Sequence, residues 1–216
     1  MRIGILGGTF NPIHNGHINI ALNIREFLRL DRVFFMPNKI PPHKNNEEIL
    51  SEENRLHMLN LALKDYVYFD VEKFELGKNG ISYTYESLEY LREIYRGSKL
   101  FFIIGSDSFM DFHKWKEIKK IFNSSNIVVY LRKESHRENI IKLKEKYEKL
   151  YKGKIYLYFG DIIMVSSTEI RKRVLSGEKI NHLVPKNVEE YILLNNLYLE
   201  EKNGLWKNQR VFKRKS

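Results

Sequence analysis

Cysteine is absent from all 216 residues, which excludes a disulfide frame, thiolate metal ligation and redox chemistry on sulfur. A reduced, cytoplasmic protein is the expectation. The N-terminus shows no charged lead running into an apolar core, and no apolar stretch approaches the ~20 residues that span a bilayer, so neither export nor a membrane partner is expected. The G-x-G-x-x-G turn of dinucleotide folds and the G-x-x-x-x-G-K-[ST] loop are both missing. So are an internal repeat, a low-complexity linker, a carboxylate cluster spaced for a resident metal, and the interleaved basic and aromatic strand pattern of an RNA-reading sheet.

The chain does contain enough apolar residues, 43% of its length, to bury one proper core. One domain is expected over residues 1–198, followed by a basic tail over 199–216. The net charge of +10 would draw polyanions, yet half of that excess sits at the end. From Glu201 to Ser216, six basic side chains (Lys202, Lys207, Arg210, Lys213, Arg214, Lys215) face the single acid Glu201, a net +5. This reads as a solvated charge run and not as a nucleic-acid arm, so nucleic acid is not an expected partner.

Short β-branched or aromatic runs alternate with longer amphipathic ones, the pattern of βα units on a parallel sheet. Strands are expected at Arg2–Leu6, Arg32–Met36, Tyr66–Val71, Leu100–Ile104, Asn126–Leu131 and Ile155–Phe159. Helices are expected near Gly16–Leu30, Ser51–Lys64, Thr84–Tyr95, Lys114–Phe122, Arg137–Leu150, Thr168–Leu175 and Val188–Leu194. Runs such as "LFFII" and "IVVYL" are apolar on both faces, as when helices cover both sides of the sheet. The fold class is therefore α/β, a Rossmann-like doubly wound parallel sheet with helices on both faces. "PNKIPPHKNNEE", Pro37–Glu48, carries three prolines and must be a loop. Following a strand, it overhangs the carboxyl edge of the sheet, where open α/β folds bind ligands.

The first strand leaves through "GGTFNPIHNGH", Gly7–His17. At a βα junction, Gly7 and Gly8 let backbone N–H groups approach an anion with no Cβ in the way. His14 and His17, three apart at a helix start, share a face and can donate to oxygens whose charge grows in a transition state, while Gly16 between them leaves room for a ligand. A zinc site would need more ligands than this turn offers, with His43 the one extra candidate. Phosphate binding is the stronger reading. "VSSTEIRKRV", Val165–Val174, again follows a strand and opens a helix; Ser166, Ser167 and Thr168 supply hydroxyls and cap geometry, and Arg171 and Arg173 supply cations suited to a triphosphate.

These strings resemble a known family. "HNGH" is similar to the H-x-G-H signature of nucleotidyltransferases, and "SSTEIR" to the S-S-T-x-I-R element of the same superfamily. The longer "GGTFNPIHNGH" looks like the opening of bacterial nicotinate-mononucleotide adenylyltransferases, with Asn11 where aspartate is frequent. "MPNKIPPHK" resembles their P-x-x-x-P-P-H-[KR] loop, "ISYTYESLEYL" their S-Y-T-x-x-[TS]-L element, and "IIGSDSFMDFHKWKEIKKI" their G-x-D-x(4)-F-x-x-W block. The resemblance covers most of Met1–Tyr198. It implies a nucleotidyltransferase-type sheet and transfer of the adenylyl group of ATP to nicotinate mononucleotide, giving nicotinate adenine dinucleotide and pyrophosphate in NAD biosynthesis. Magnesium would ride on the ATP phosphates. The implied catalytic residues are His14 and His17 on the triphosphate, Lys44 as a phosphate clamp, and Arg171 on the leaving pyrophosphate. Gly7, Gly8, Thr9, Phe10, Gly16, Asp107, Ser167 and Thr168 would bind ATP, with Asp107 on a ribose hydroxyl. Tyr83, Thr84 and Trp115 would bind the acceptor, the indole stacking on its pyridine ring.

Family members commonly follow that tryptophan with an aromatic; here Lys116 follows, and a cation there favours a carboxylate on the acceptor. Arg132 matches a recurring arginine and reads equally as a solvated strand-end cation. The rival acceptors are nicotinamide mononucleotide and phosphopantetheine, and the rival class is a nucleotide-binding regulator without turnover. A homo-oligomer stays open.

Overall fold

The computed structural model describes residues 1–39, 49–78, 83–131 and 137–199, with the backbone of 201–202 and 205–206. Six strands, β1 (Arg2–Gly8), β2 (Arg32–Pro37), β3 (Phe69–Val71), β4 (Lys99–Gly105), β5 (Asn126–Tyr130) and β6 (Ile155–Tyr158), form one sheet in the order β3-β2-β1-β4-β5-β6. Every neighbouring pair is parallel. The winding reverses between β1 and β4, and the crevice outside their carboxyl ends is the topological switch point where such sheets take ligands.

Alternation along the strands divides the core. Leu6, Val33, Phe35, Phe101, Ile103 and Val128 face one side and pack on α1 (Asn15–Leu28), α2 (Glu52–Leu63), α7 (Ser167–Leu175) and α8 (Lys186–Leu194). Ile3, Ile5, Phe34, Phe102, Ile127 and Val129 face the other and pack on α3 (Thr84–Ile94), α4 (Ser106–Met110), α5 (Ile118–Ser124) and α6 (Arg137–Tyr151). Both faces are covered, which is why the strand sequences carry unbroken apolar runs. α2 starts as its sequence dictates: Ser51 accepts from the Asn54 N–H at 3.3 Å, and Glu52 and Glu53 complement the helix dipole in the first turn.

Several elements differ from expectation. β3 begins at Phe69 and not at Tyr66, because residues 66–68 turn, with Tyr66 N donating to Leu63 O and Phe69 N to Tyr66 O, so that their rings pack on the sheet from outside it. The helix expected over Lys114–Phe122 is broken: a 3-10 turn covers Phe112–Lys114, Trp115 is extended, Glu117 is left-handed at φ 53°, and only then does α5 begin. α4 was not foreseen. In the tail, β7 (Glu201–Lys202) and β8 (Leu205–Trp206) pair antiparallel, where only a solvated charge run was expected. Among the described residues no helix is long and apolar enough to cross a membrane.

Candidate active site

β1 runs to Gly8, still in register with Pro37, and then turns sharply. Phe10 takes a left-handed φ of 48° and points its ring inward, against Phe35 and edge-on to the His17 ring at 4.9 Å. Gly8 suits this fold-back, since a Cβ there would lie 3.0 Å from the Phe10 ring and press it back by a few tenths of an ångström. The Asn11–Pro12 peptide is cis. His14 caps α1: its backbone is extended, and its Nδ1 accepts from the His17 N–H at 3.3 Å. An accepting Nδ1 leaves the proton of the neutral imidazole on Nε2, the edge that can donate to an anion. The two imidazoles stack with centroids 3.6 Å apart, and His14 is only 5% exposed.

The second motif reaches the same turn. Ser166 caps α7 by accepting from the Glu169 N–H at 3.1 Å. Ser167 Oγ donates to Pro12 O at 2.9 Å, and the Arg171 guanidinium, 8% exposed, donates to Asn11 O at 3.1 Å. Two residues 160 positions apart thus meet at the loop that carries the histidine pair. The segment leading into α7 lies across α1, where Asn19 Oδ1 accepts from Ile163 N at 2.9 Å and Asn23 Nδ2 donates to Asp161 O at 2.8 Å. Gly16 allows this approach, because a Cβ there would stand 2.8 Å from Ile163 O. Thr168 is exposed in the first turn of α7, and Arg173 turns away to Glu169 and Glu178.

Across the switch point, β4 ends at Gly105 and Asp107 is exposed in the first turn of α4. Trp115 packs edge-on to Phe102 at 6.0 Å, and the Phe102 ring comes within 3.6 Å of where a Gly7 Cβ would stand, so indole and glycine turn are linked through one aromatic. Tyr83 precedes α3, which Thr84 opens, and the Lys116 ammonium sits 4.4 Å from the Tyr83 ring centroid. Tyr83, Lys116 and Trp115 are thereby gathered at one end of the sheet, on the face opposite α1. Lys44, His43 and Arg132 lie outside the described residues.

Asn11 was expected to hold the turn by its polar side chain, and sequence reasoning missed its partners and two further supports, Tyr198 and Arg55. Asn11 Oδ1 accepts from Leu50 N at 3.3 Å and from the Tyr198 hydroxyl at 3.0 Å. Tyr198 is fully buried, and burial pushes its phenol well above the ordinary tyrosine range, although the nearby Arg171 and Arg55 charges pull the other way. Arg55, 1% exposed, donates from Nε to Leu50 O at 3.2 Å and from one terminal nitrogen to Thr9 O at 2.9 Å and Asn38 O at 2.8 Å. Burial lowers its pKa, with Glu52 and Tyr198 countering. A signal for Arg55 existed: it stands at the first position of the stripe Arg55, Met58, Leu59, Ala62, Leu63, where an apolar residue belongs. Among the described residues no group of three or more His, Cys, Asp or Glu side chains could hold a metal ion.

With a doubly wound sheet, a glycine turn and two motifs meeting at the switch point, the class is defined: the chain belongs to the cytidylyltransferase-like family, which it matches over residues 5–173. It is 42% identical over 200 residues to the probable nicotinate-nucleotide adenylyltransferase of Clostridium botulinum (strain Alaska E43), covering 93% of this chain and 99% of that one. A protein of the same name from Dictyoglomus turgidum is 40% identical over 201 residues, covering 93% and 97%. Within the family, the chain therefore falls among the nicotinate-nucleotide adenylyltransferases. The nicotinic acid mononucleotide adenylyltransferase of Plasmodium falciparum, solved in complex with NaAD, superposes with a TM-score of 0.74 at 21% identity over 91% of this chain and 97% of that one; the likeness at that identity is one of fold.

Proposed function

We infer that this enzyme transfers the adenylyl group of ATP to nicotinate mononucleotide, producing nicotinate adenine dinucleotide and pyrophosphate in NAD biosynthesis. An oxygen of the acceptor phosphate attacks the α-phosphorus in line; the bond from that phosphorus to the bridging oxygen breaks, and pyrophosphate leaves. Such chemistry needs alignment and charge neutralisation and no covalent intermediate. The observation that carries the reading is the meeting of the residue 11–17 turn with the first turns of α7 at the switch point, through Ser167 to Pro12 and Arg171 to Asn11.

On this reading the backbone of Gly7, Gly8, Thr9 and Phe10 cradles the triphosphate, and Gly16 serves the ATP site by letting the Ile163 segment seat against the histidine pair. His14 and His17 donate to the charge that grows at the reacting phosphate. Arg171 brings a fixed cation beneath the turn while holding Asn11, and Ser167 and Thr168 line the exit of pyrophosphate with it. Lys44 clamps phosphate from the loop, and Asp107 takes a ribose hydroxyl. Tyr83, Thr84 and Trp115 hold the acceptor, with the Lys116 charge beside Tyr83 favouring a pyridine carboxylate over an amide. Magnesium arrives on the ATP phosphates and offsets their charge. The cytoplasm is the proposed location, and the tail from Leu199 onward is dispensable for turnover. A homo-oligomer is compatible with this chemistry and not required by it; nucleic acid has no part in it.

The test is pyrophosphate release with ATP, magnesium and each acceptor in turn. Nicotinate mononucleotide is expected to exceed its amide clearly, and phosphopantetheine to give nothing. Equal rates with acid and amide would overturn the acceptor assignment, and no release with any acceptor would leave a nucleotide-binding regulator.

A further inference from the structure

Arg55 is a cation buried under the glycine turn, and among the described residues it forms no ion pair. Its charge is met by three carbonyl oxygens, and they belong to three separate stretches: Thr9 in the turn, Asn38 just after β2, and Leu50 just before α2. An apolar side chain at this point of the α2 stripe would pack against Met58 and Leu59 without the desolvation cost of a guanidinium. What it could not do is hold three carbonyls at once in a fixed fork. The same stretches are cross-tied, since Asn38 N donates to Gly8 O at 3.0 Å and Leu50 N donates to Asn11 Oδ1 at 3.3 Å.

We propose that Arg55 is a positioning residue for adenylyl transfer, one that sets the glycine turn at Thr9 against Asn38 and Leu50 so that the phosphate cradle keeps a single spacing through the reaction. It touches no reacting atom. Its action runs through backbone: by holding the Thr9 carbonyl, the guanidinium fixes the plane of the Thr9–Phe10 peptide and with it the direction of the Phe10 N–H in the cradle. The proposal rests on the reading of that turn as the ATP site.

The test compares Arg55→Lys and Arg55→Met with Leu88→Ala, a buried control in α3 on the opposite face of the sheet. Amide hydrogen exchange and steady-state kinetics are measured on the full chain beside the melting temperature. For Arg55→Lys, exchange is expected to quicken about tenfold at Thr9–Asn11 and at Leu50 together, as local opening of one unit. Its kcat is expected to fall on the order of 10²-fold, the cost of a small misplacement, with KM for ATP changed less than threefold. Leu88→Ala should lose melting temperature and keep its kcat. The proposal is overturned if kcat follows the loss of stability alike in both variants, if exchange quickens within α2 alone, or if neither Arg55 variant folds while Leu88→Ala does. Exchange needs no turnover, so a chain that failed to transfer adenylate to any acceptor would still decide whether Arg55 ties these stretches together.

Discussion

Gly16→Ala should leave the protein folded and cripple it. Gly16 is the second residue of α1, where alanine would gain at most ~1 kcal/mol of helix propensity. Its Cβ would stand 2.8 Å from the Ile163 carbonyl oxygen and 3.1 Å from His14 Nδ1, against the 3.4 Å at which ordinary contact begins. Relief therefore demands a retreat of about 0.6 Å by Ile163 and about 0.3 Å by the imidazole. The first partner is backbone, held by Asn19 at 2.9 Å, and the second is held by the His17 N–H at 3.3 Å, so neither yields freely. Overpacking of this kind costs ~1–3 kcal/mol, and the propensity gain offsets part of it, leaving a net loss of about 0–2 kcal/mol. The functional loss is larger in proportion. Because a 1 Å misplacement costs about 10²-fold, a shift of this size at the histidine pair should lower kcat on the order of tenfold. Pyrophosphate release with ATP and nicotinate mononucleotide, beside a thermal melt, reads both numbers. Wild-type turnover, or activity lost only in step with the folded fraction, would refute the reasoning.

His17→Ala removes one donor aimed at the developing charge, and kcat is expected to fall on the order of 10²- to 10³-fold; an unchanged rate in the same assay would take the residue out of the mechanism. Tyr198→Phe deletes the hydrogen bond to Asn11 Oδ1 and should cost about 1–2 kcal/mol in urea unfolding, because an acceptor is left buried with one partner fewer. That difference depends on pH. Burial raises the Tyr198 pKa in the folded state, so the stability its neutral phenol contributes is complete below the unfolded tyrosine pKa near 10 and is lost as pH rises toward the folded value. The gap between wild type and Tyr198→Phe should therefore close under alkaline conditions, and a gap constant to pH 11 would contradict the burial argument.

The sheet was legible because its strands are buried on both sides and so carry continuous apolar runs: β2 and β5 lie within a residue of their expected ends. β1 outran its expected end at Leu6 because Gly7 and Gly8 still pair with Met36 and Pro37 before the chain turns. The break before α5 was invisible, since Ile118, Ile121 and Phe122 keep helical spacing and no glycine marks the left-handed Glu117. The histidine pair and the α7 motif declared themselves through local chemistry, a cap beside glycine and hydroxyls beside arginine. Tyr198 did not, because its partner lies 187 positions away, while Asn11 showed only as a polar side chain fit to hold the turn and Arg55 only as a charge in an apolar stripe, neither with a sign of its partners. Ser167 and Arg171 were expected on substrate, whereas their hydrogen bonds here run to the carbonyls of Pro12 and Asn11.

The bond between Tyr198 and Asn11 closes a loop of 187 positions. Until the stretch that carries Tyr198 has docked, the loop bearing both imidazoles lacks this brace, so the histidine pair should reach its working arrangement only when that distant stretch is in place.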